Sequence, residues 1–271
     1  MSARIIYGDM TVFSAGGTSL LDSCDGVTLK VLNASSEGKP VSRIGKSPQL
    51  VKKSFEISTA AMSNVTGVNR VTNLNLSALT VGATDYLAHV DGISINGSFD
   101  QQEGSARGDL WSKPEVVAKD YSGNLTLLIP TAGLVALQTL AVSNTVADAY
   151  STLSFTINGV ATTLPIMFGS YTHIATMDDL QKIEIEYSGR DLLTGAYPTA
   201  PTGTSSLLTK AFNDPRNELT FAFTPAAVNA TQGAWSGNMT WSSFSYSVNS
   251  DDVVKTEYVW KGFGAPTVVY V

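Results

Sequence analysis

Apolar and polar residues alternate with a period of two along most of this chain, the period of half-buried β-strands. Strands are predicted at Ile5–Phe13, Val27–Leu32, Ser54–Ser58, Val71–Leu79, Ile93–Phe99, Asn124–Ile129, Leu153–Ile157, Ile183–Tyr187 and Glu218–Phe223. The longest signal is the closing segment Ala234 to Gly264, AWSGNMTWSSFSYSVNSDDVVKTEYVWKGFG, read as two long strands joined by a polar turn at Asn249–Asp252. Met239 and Trp241 fall on odd positions there, and Phe244, Tyr246 and Val248 on even ones. A strand changes parity only by inserting a residue, so Ser242–Ser243 is predicted to hold a bulge or sharp bend. On the return strand Val254, Tyr258 and Trp260 share one face, and Lys255, Glu257 and Lys261 the other.

Helical spacing occurs in two places. Ala132–Val142 carries Leu134, Val135, Leu137, Leu140 and Ala141 on one stripe, and Met177–Lys182 follows Thr176 as N-cap with two acids in its first turn. Turn signals stand at Gly16-Gly17, Asp25-Gly26, Asp91-Gly92, Asn96-Gly97 and Asn158-Gly159, the last a tight hairpin candidate. Leu193–Thr209, rich in Pro, Gly, Ser and Thr, reads as a linker or exposed loop. The chain is therefore expected to be mainly β with one or two helices. Tyr121-Ser-Gly-Asn-Leu-Thr-Leu127 echoes Trp235-Ser-Gly-Asn-Met-Thr-Trp241, about half a chain apart. Two organisations follow: a single domain over 1–271, or two related β domains, 1–145 and 146–271.

Composition narrows the function classes. Charged residues are 15% of the chain, against roughly 25% in soluble domains, and Ser, Thr, Asn and Gly make up the polar remainder. Low charge fits a surface largely covered by neighbouring subunits, and equally a weakly charged Thr/Ser-rich β protein. The net charge of −6 argues against gripping nucleic acid through its phosphates, though not against DNA sliding past. The single cysteine, Cys24, rules out an intrachain disulfide or a cysteine metal cluster. The first residues, MSARIIYGDMTVF, predict no secretory leader, and no run nears the roughly 18 apolar residues of a membrane span. Seven Asn-x-Ser/Thr triplets are put down to composition.

Candidate chemistry is sparse. His89 and His173 have no second ligand at metal spacing, and no P-loop, dinucleotide fingerprint, HExxH or GxSxG elbow occurs. Neither catalysis nor a cofactor or metal is expected. Arg107-Gly108-Asp109 matches the integrin tripeptide but reads as an ordinary loop. Charge placement says more. Lys30, Lys39, Arg43, Lys46, Lys52 and Lys53 cluster around one acid, Glu37, in a Gly/Pro/Ser-bearing stretch suited to a long hairpin tip. Acids collect at Asp85, Asp91, Asp100, Glu103 and Asp109, then at Asp178, Asp179, Glu184 and Glu186. A basic arm on an acidic body suggests head-to-tail docking between identical subunits, against a solvated loop as the alternative.

The terminal run resembles the closing segment of tail tube proteins of long-tailed bacteriophages. There an aromatic-x-Gly strand, here Trp235-Ser-Gly237-Asn-Met239-Thr, leads through serines to an acidic turn and a last strand ending aromatic-x-Gly. The Lys/Gly-bearing loop followed by Lys53-Ser-Phe-Glu-Ile-Ser-Thr-Ala-Ala-Met62 is similar to that family's long hairpin and the strand after it. The resemblance implies a tail-tube-like β-sandwich or barrel with a flanking helix, made in the host cytoplasm and residing in the virion. It implies a hexameric ring of copies, or a trimer if duplicated, stacked into a tube with other tail proteins. DNA would pass the bore without specific binding, and no membrane is involved. Lys39, Arg43 and Lys46 are the expected ring-stacking contacts, and Trp241, Tyr258 and Trp260 pack the terminal hairpin. A head decoration or connector protein, or a carbohydrate-binding β-sandwich with an exposed aromatic platform, is the alternative.

Overall fold

The structure is a computed structural model that describes residues 3–6, 10–20, 26–38, 47–59, 62–63, 76–128, 150–157, 160–175, 181–189, 194–195, 207, 210–211, 216, 218–225, 233–249 and 255–270. Those residues form seventeen strands. The first eight are β1 (Ala3–Ile6), β2 (Met10–Ala15), β3 (Thr18–Ser19), β4 (Val27–Gly38), β5 (Ser47–Thr59), β6 (Met62–Ser63), β7 (Leu76–Val81) and β8 (Thr84–Asp85). The rest are β9 (Val90–Glu103), β10 (Pro114–Leu128), β11 (Tyr150–Ile157), β12 (Val160–Ile174), β13 (Lys182–Gly189), β14 (Thr194–Gly195), β15 (Leu219–Pro225), β16 (Ala234–Asn249) and β17 (Lys255–Val269). The protein is mainly β.

All strands belong to one antiparallel sheet. Its spine runs β7–β11–β12–β13–β10–β9–β16–β17–β5–β4–β1. β15 and β2 branch from the first half of β16, whose second half pairs with β9 along the same edge. The sheet stays open: among the described residues β1 bonds only to β4, and the β7–β8 end bonds only to β11. Strands from either side of Thr145 interleave, since β9 pairs with β16, β10 with β13, β7 with β11 and β5 with β17.

One face of this sheet carries the core. Ile93, Ile95 and Phe99 of β9, Tyr121, Leu125 and Leu127 of β10, and Ile183, Ile185 and Tyr187 of β13 are buried at alternate positions. They join Phe13, Phe55, Leu153, Phe221, Trp241, Tyr258 and Trp260 in a single contiguous cluster. A continuous core on one face of one sheet requires the sheet to curl around it. Glycines make room for its aromatics. A Cβ at Gly97 would lie 1.9 Å from the Phe244 ring, at Gly123 2.4 Å from the Tyr187 hydroxyl, and at Gly262 2.1 Å from the Phe55 ring. Each ring therefore lies over a gap on the neighbouring strand, the arrangement by which aromatics cover strand glycines.

Several expectations need correction. Asp91-Gly92 and Asn96-Gly97 are not turns but interior residues of β9, and Gly97 is there to admit Phe244. Gly16-Gly17 does turn the β2–β3 hairpin, with φ of 56° and 80°. The parity switch in β16 is a register shift between Trp241 and Ser243. Val160–Ile174 is a strand that the alternation does not announce. Its register slips between Phe168 and Ser170, leaving Gly169 unpaired and reversing the inward phase. Lys182 opens β13 rather than closing a helix, because Ile183 and Ile185 follow a period of two into the core. Gln181 before it is not helical, and Met177–Leu180 and all of Ala132–Val142 lie outside the described residues. Leu207, at the end of the predicted linker, is helical and fully buried.

Candidate functional site

The register of the central strands gathers short polar side chains into rows on the face opposite the core. One row runs Glu257–Ser245–Asn96–Ser122–Ser188, and a second runs Ser247–Ser94–Asn124–Glu186–Ser170. A third holds Val259–Ser243–Ser98–Asp120, and Thr126–Glu184–Thr172 continues the surface on the other side. The surface is hollowed. A depression of about 330 Å³ is lined by Asn96, Ser98, Ser122, Ser243, Ser245 and Glu257, with Gly97 and Phe244 also bordering it. Four strands, β9, β10, β16 and β17, contribute to that one depression.

Charge on this face is one-sided. Asp100, Asp120, Glu184, Glu186 and Glu257 are exposed on it. Among the described side chains on β9, β10, β13 and β16, the cation on this face is Lys182, ion-paired to Asp91 at 3.1 Å; Lys261 of β17, Lys30 of β4 and Lys52 of β5 lie farther along it. Glu186 accepts a hydrogen bond from the Ser170 hydroxyl at 2.8 Å, and Ser94 Oγ accepts one from the Asn124 N–H at 3.0 Å. Among the described residues this face presents mostly hydroxyls, amides and carboxylates, with Met167 and Tyr150 beyond Ser188 in the first row and no nucleophile–base pair. It can line a wet passage; it offers nothing that resembles a catalytic constellation.

The second feature is an arm. β4 and β5 pair from Val27↔Thr59 to Gly38↔Ser47, while β1 covers β4 only to Val31 and β17 covers β5 only over Glu56–Ser58. Beyond Asn33↔Lys53 the two strands have no other strand partner among the described residues, a ribbon reaching roughly 16 Å at ~3.3 Å per residue. Its base is held by the β9–β10 connection. Leu110 O accepts the Lys53 N–H at 2.7 Å, the Ser112 N–H donates to Lys53 O at 2.8 Å, and Ser112 O accepts the Gly264 N–H at 2.9 Å. Trp111 sits edge-on to Phe55 at 6.3 Å, with Lys53 Nζ 5.7 Å from its ring centroid.

Of the residues singled out in the sequence, Lys39, Arg43 and Lys46 lie outside the described residues, between the two arm strands. Trp241, Tyr258 and Trp260 come together in the core with no exposed surface, ring centroids 5.3 to 5.7 Å apart. Each contributes roughly 2 to 3 kcal/mol by burial, and none is available to stack on a sugar. Arg107-Gly108-Asp109 occupies the β9–β10 connection, where Asp109 pairs with Lys113 at 3.0 Å and accepts the Ala106 N–H. His173 is exposed on β12, His89 closes a short 3-10 turn, and no metal-ligand cluster occurs among the described residues. The polar rows escaped sequence reading because Ser and Asn look like loop residues until register aligns them. Compared with known proteins, the chain matches no family profile and no curated sequence.

Proposed function

We propose that this chain is the repeating subunit of the tail tube of a long-tailed bacteriophage, a structural protein that works by assembling with copies of itself. The observation that carries this reading is the hollowed polar face with its five exposed acids. Turned toward a common axis, such faces from several copies line a bore. A carboxylate and a phosphate 4 Å apart in water repel by only about 1 kcal/mol, and salt screens them beyond roughly 10 Å. That is too little to exclude DNA and enough to keep it from adhering. The arm supports the same reading, since a two-stranded ribbon alone is marginal in water and gains by docking. Lys39, Arg43 and Lys46 fall in the sequence that connects its two strands, and a basic segment is suited to an acidic surface of the next ring. Among the described residues β1 has no strand partner besides β4, and β17 has none beyond Lys261 on the edge that meets β5, which leaves margins for neighbours within a ring. The core curls into a sandwich-like body in this reading, and the protein has no catalytic role.

Negative-stain microscopy of the purified chain tests the proposal: hollow tubes or sixfold rings are expected, and a monomer persisting at high concentration overturns it. The bore assignment is tested by D120K/E186K/E257K. The variant is expected to retain duplex DNA, with the logarithm of affinity falling about 0.9 per logarithm of salt for each phosphate neutralised, whereas the native tube does not. A variant that assembles and still ignores DNA places these residues elsewhere.

A further inference from the structure

We propose that Glu103 is the positioning residue of a latch that fixes the angle at which the β4–β5 arm leaves the sheet. Glu103 closes β9, and its carboxylate gathers the β9–β10 connection around itself. Oε1 accepts the Ser105 N–H at 3.1 Å, the Ser105 hydroxyl at 2.6 Å and the Lys113 N–H at 2.9 Å, and Oε2 accepts the Ser112 hydroxyl. Lys52 of the arm strand reaches the same carboxylate at 3.2 Å and also donates to Ser105 Oγ. Three hydrogen bonds and the Lys52 ammonium thus converge on Oε1, and a fourth hydrogen bond holds Oε2.

The loop so organised is what brackets Lys53 on both its N–H and its carbonyl, and what joins Gly264 of β17 to the same point. Lys52 and Lys53 are also where the ribbon departs from its last strand contacts on the body. Charge, cation–π contact and backbone bonds thus converge at the one place where the arm can pivot. Without the carboxylate, the connection loses the centre that folds it, and the bracket on Lys53 loses its support. The arm is then held to the body by the Glu56–Ser58 pairing and by β1. Pre-setting its direction removes part of the ordering cost of any docking step. The latch operates whatever the arm docks to, so its test is separate from tube formation.

Hydrogen exchange on the full chain reads the latch directly, at a concentration where the chain does not assemble. In E103A, and less so in E103Q and K52M, the amides of Lys53, Ser112 and Gly264 are expected to exchange about tenfold faster. The Tyr258 amide, bonded to Thr59 Oγ1 in the core at 2.9 Å, keeps its native rate. Native rates at Lys53 and Ser112 in E103A overturn the proposal. So does uniform acceleration that includes Tyr258 in all three variants, because it reduces Glu103 to a contributor to global stability.

Discussion

Gly97→Ala isolates the physical reason for the most misleading dipeptide in the chain. Gly97 is paired with Phe244 across β9 and β16, and an added Cβ would stand 1.9 Å from Cε1, 2.5 Å from Cζ and 2.6 Å from Cδ1 of that ring. Carbon atoms pack at about 3.5 to 4.0 Å, so the ring must move by well over an ångström. It has little room: Phe244 is buried, with the Phe99 ring centred 6.2 Å away. Overpacking of this kind costs about 1 to 3 kcal/mol. Gly97 does not have a positive φ, so alanine meets no backbone strain there and returns about 0.4 to 1 kcal/mol through the unfolded chain. The net expectation is a loss of about 1 to 2 kcal/mol in urea unfolding. Phe244→Ala alone costs roughly 3 to 5 kcal/mol, and in that background Gly97→Ala is neutral or stabilising, a coupling of about 1 to 3 kcal/mol. An equal cost for Gly97→Ala in both backgrounds would refute the account, because the glycine would then be serving the backbone and not the ring.

Two further outcomes separate buried groups by their partners and a carboxylate by its donors. Thr256→Val removes a fully buried hydroxyl that has no hydrogen-bond partner among the described residues, whereas Thr59→Val removes the acceptor of the Tyr258 N–H. The first is expected to stabilise by about 1 kcal/mol and the second to cost about 1 to 3 kcal/mol in denaturant melts, so shifts of the same sign contradict the assignment. Partial burial pushes the Glu103 carboxyl up, but hydrogen bonds from Ser105, Ser112, the Lys113 N–H and Lys52 outweigh it and hold it well below the usual carboxylate range. A depressed carboxyl stabilises the fold fully above its unfolded value and loses that contribution as pH falls through the folded one. Trp111 emission, read as the difference between the native chain and Trp111→Phe, should therefore be unchanged at pH 4.5, where an ordinary glutamate is half ionised; a transition centred there would show the donors do not engage Glu103.

Strand existence was largely legible where alternation is clean. Ile183, Ile185 and Tyr187 point inward with Glu184 and Glu186 outward, and the terminal hairpin revealed even its bulge at Ser242. Legibility failed where the period breaks. β10 was read only from Asn124 because Val117 is an extra residue between Val116 and Ala118, so alternation restarts within the strand. β12 hides behind Pro165 and the unpaired Gly169. Glycine misled in β9 because its cause is tertiary: nothing within β9 says that Phe244, far along the chain, will need the space. The arm was anticipated from its basic residues, but its latch was not, since Lys52, Glu103, Ser105 and Ser112 meet only when β5 lies beside the β9–β10 connection.

The placement of charge ties these features together. A sheet with one buried face has to manage the other, and exposed apolar residues such as Val12 and Val269 are few and scattered. The central strands instead spread hydroxyls and amides along the rows and set carboxylates among them, at Asp120, Glu184, Glu186 and Glu257. Hydroxyl rows without charge would invite any edge or sheet to lie across them, because little desolvation opposes the contact. Carboxylates within the rows raise that cost, so in the proposed assembly a sister copy would be steered away from the hollow and toward the strand margins and the arm. In the proposed assembly, acid on the polar face would thus act apart from any passing DNA, by selecting which surfaces of identical chains meet.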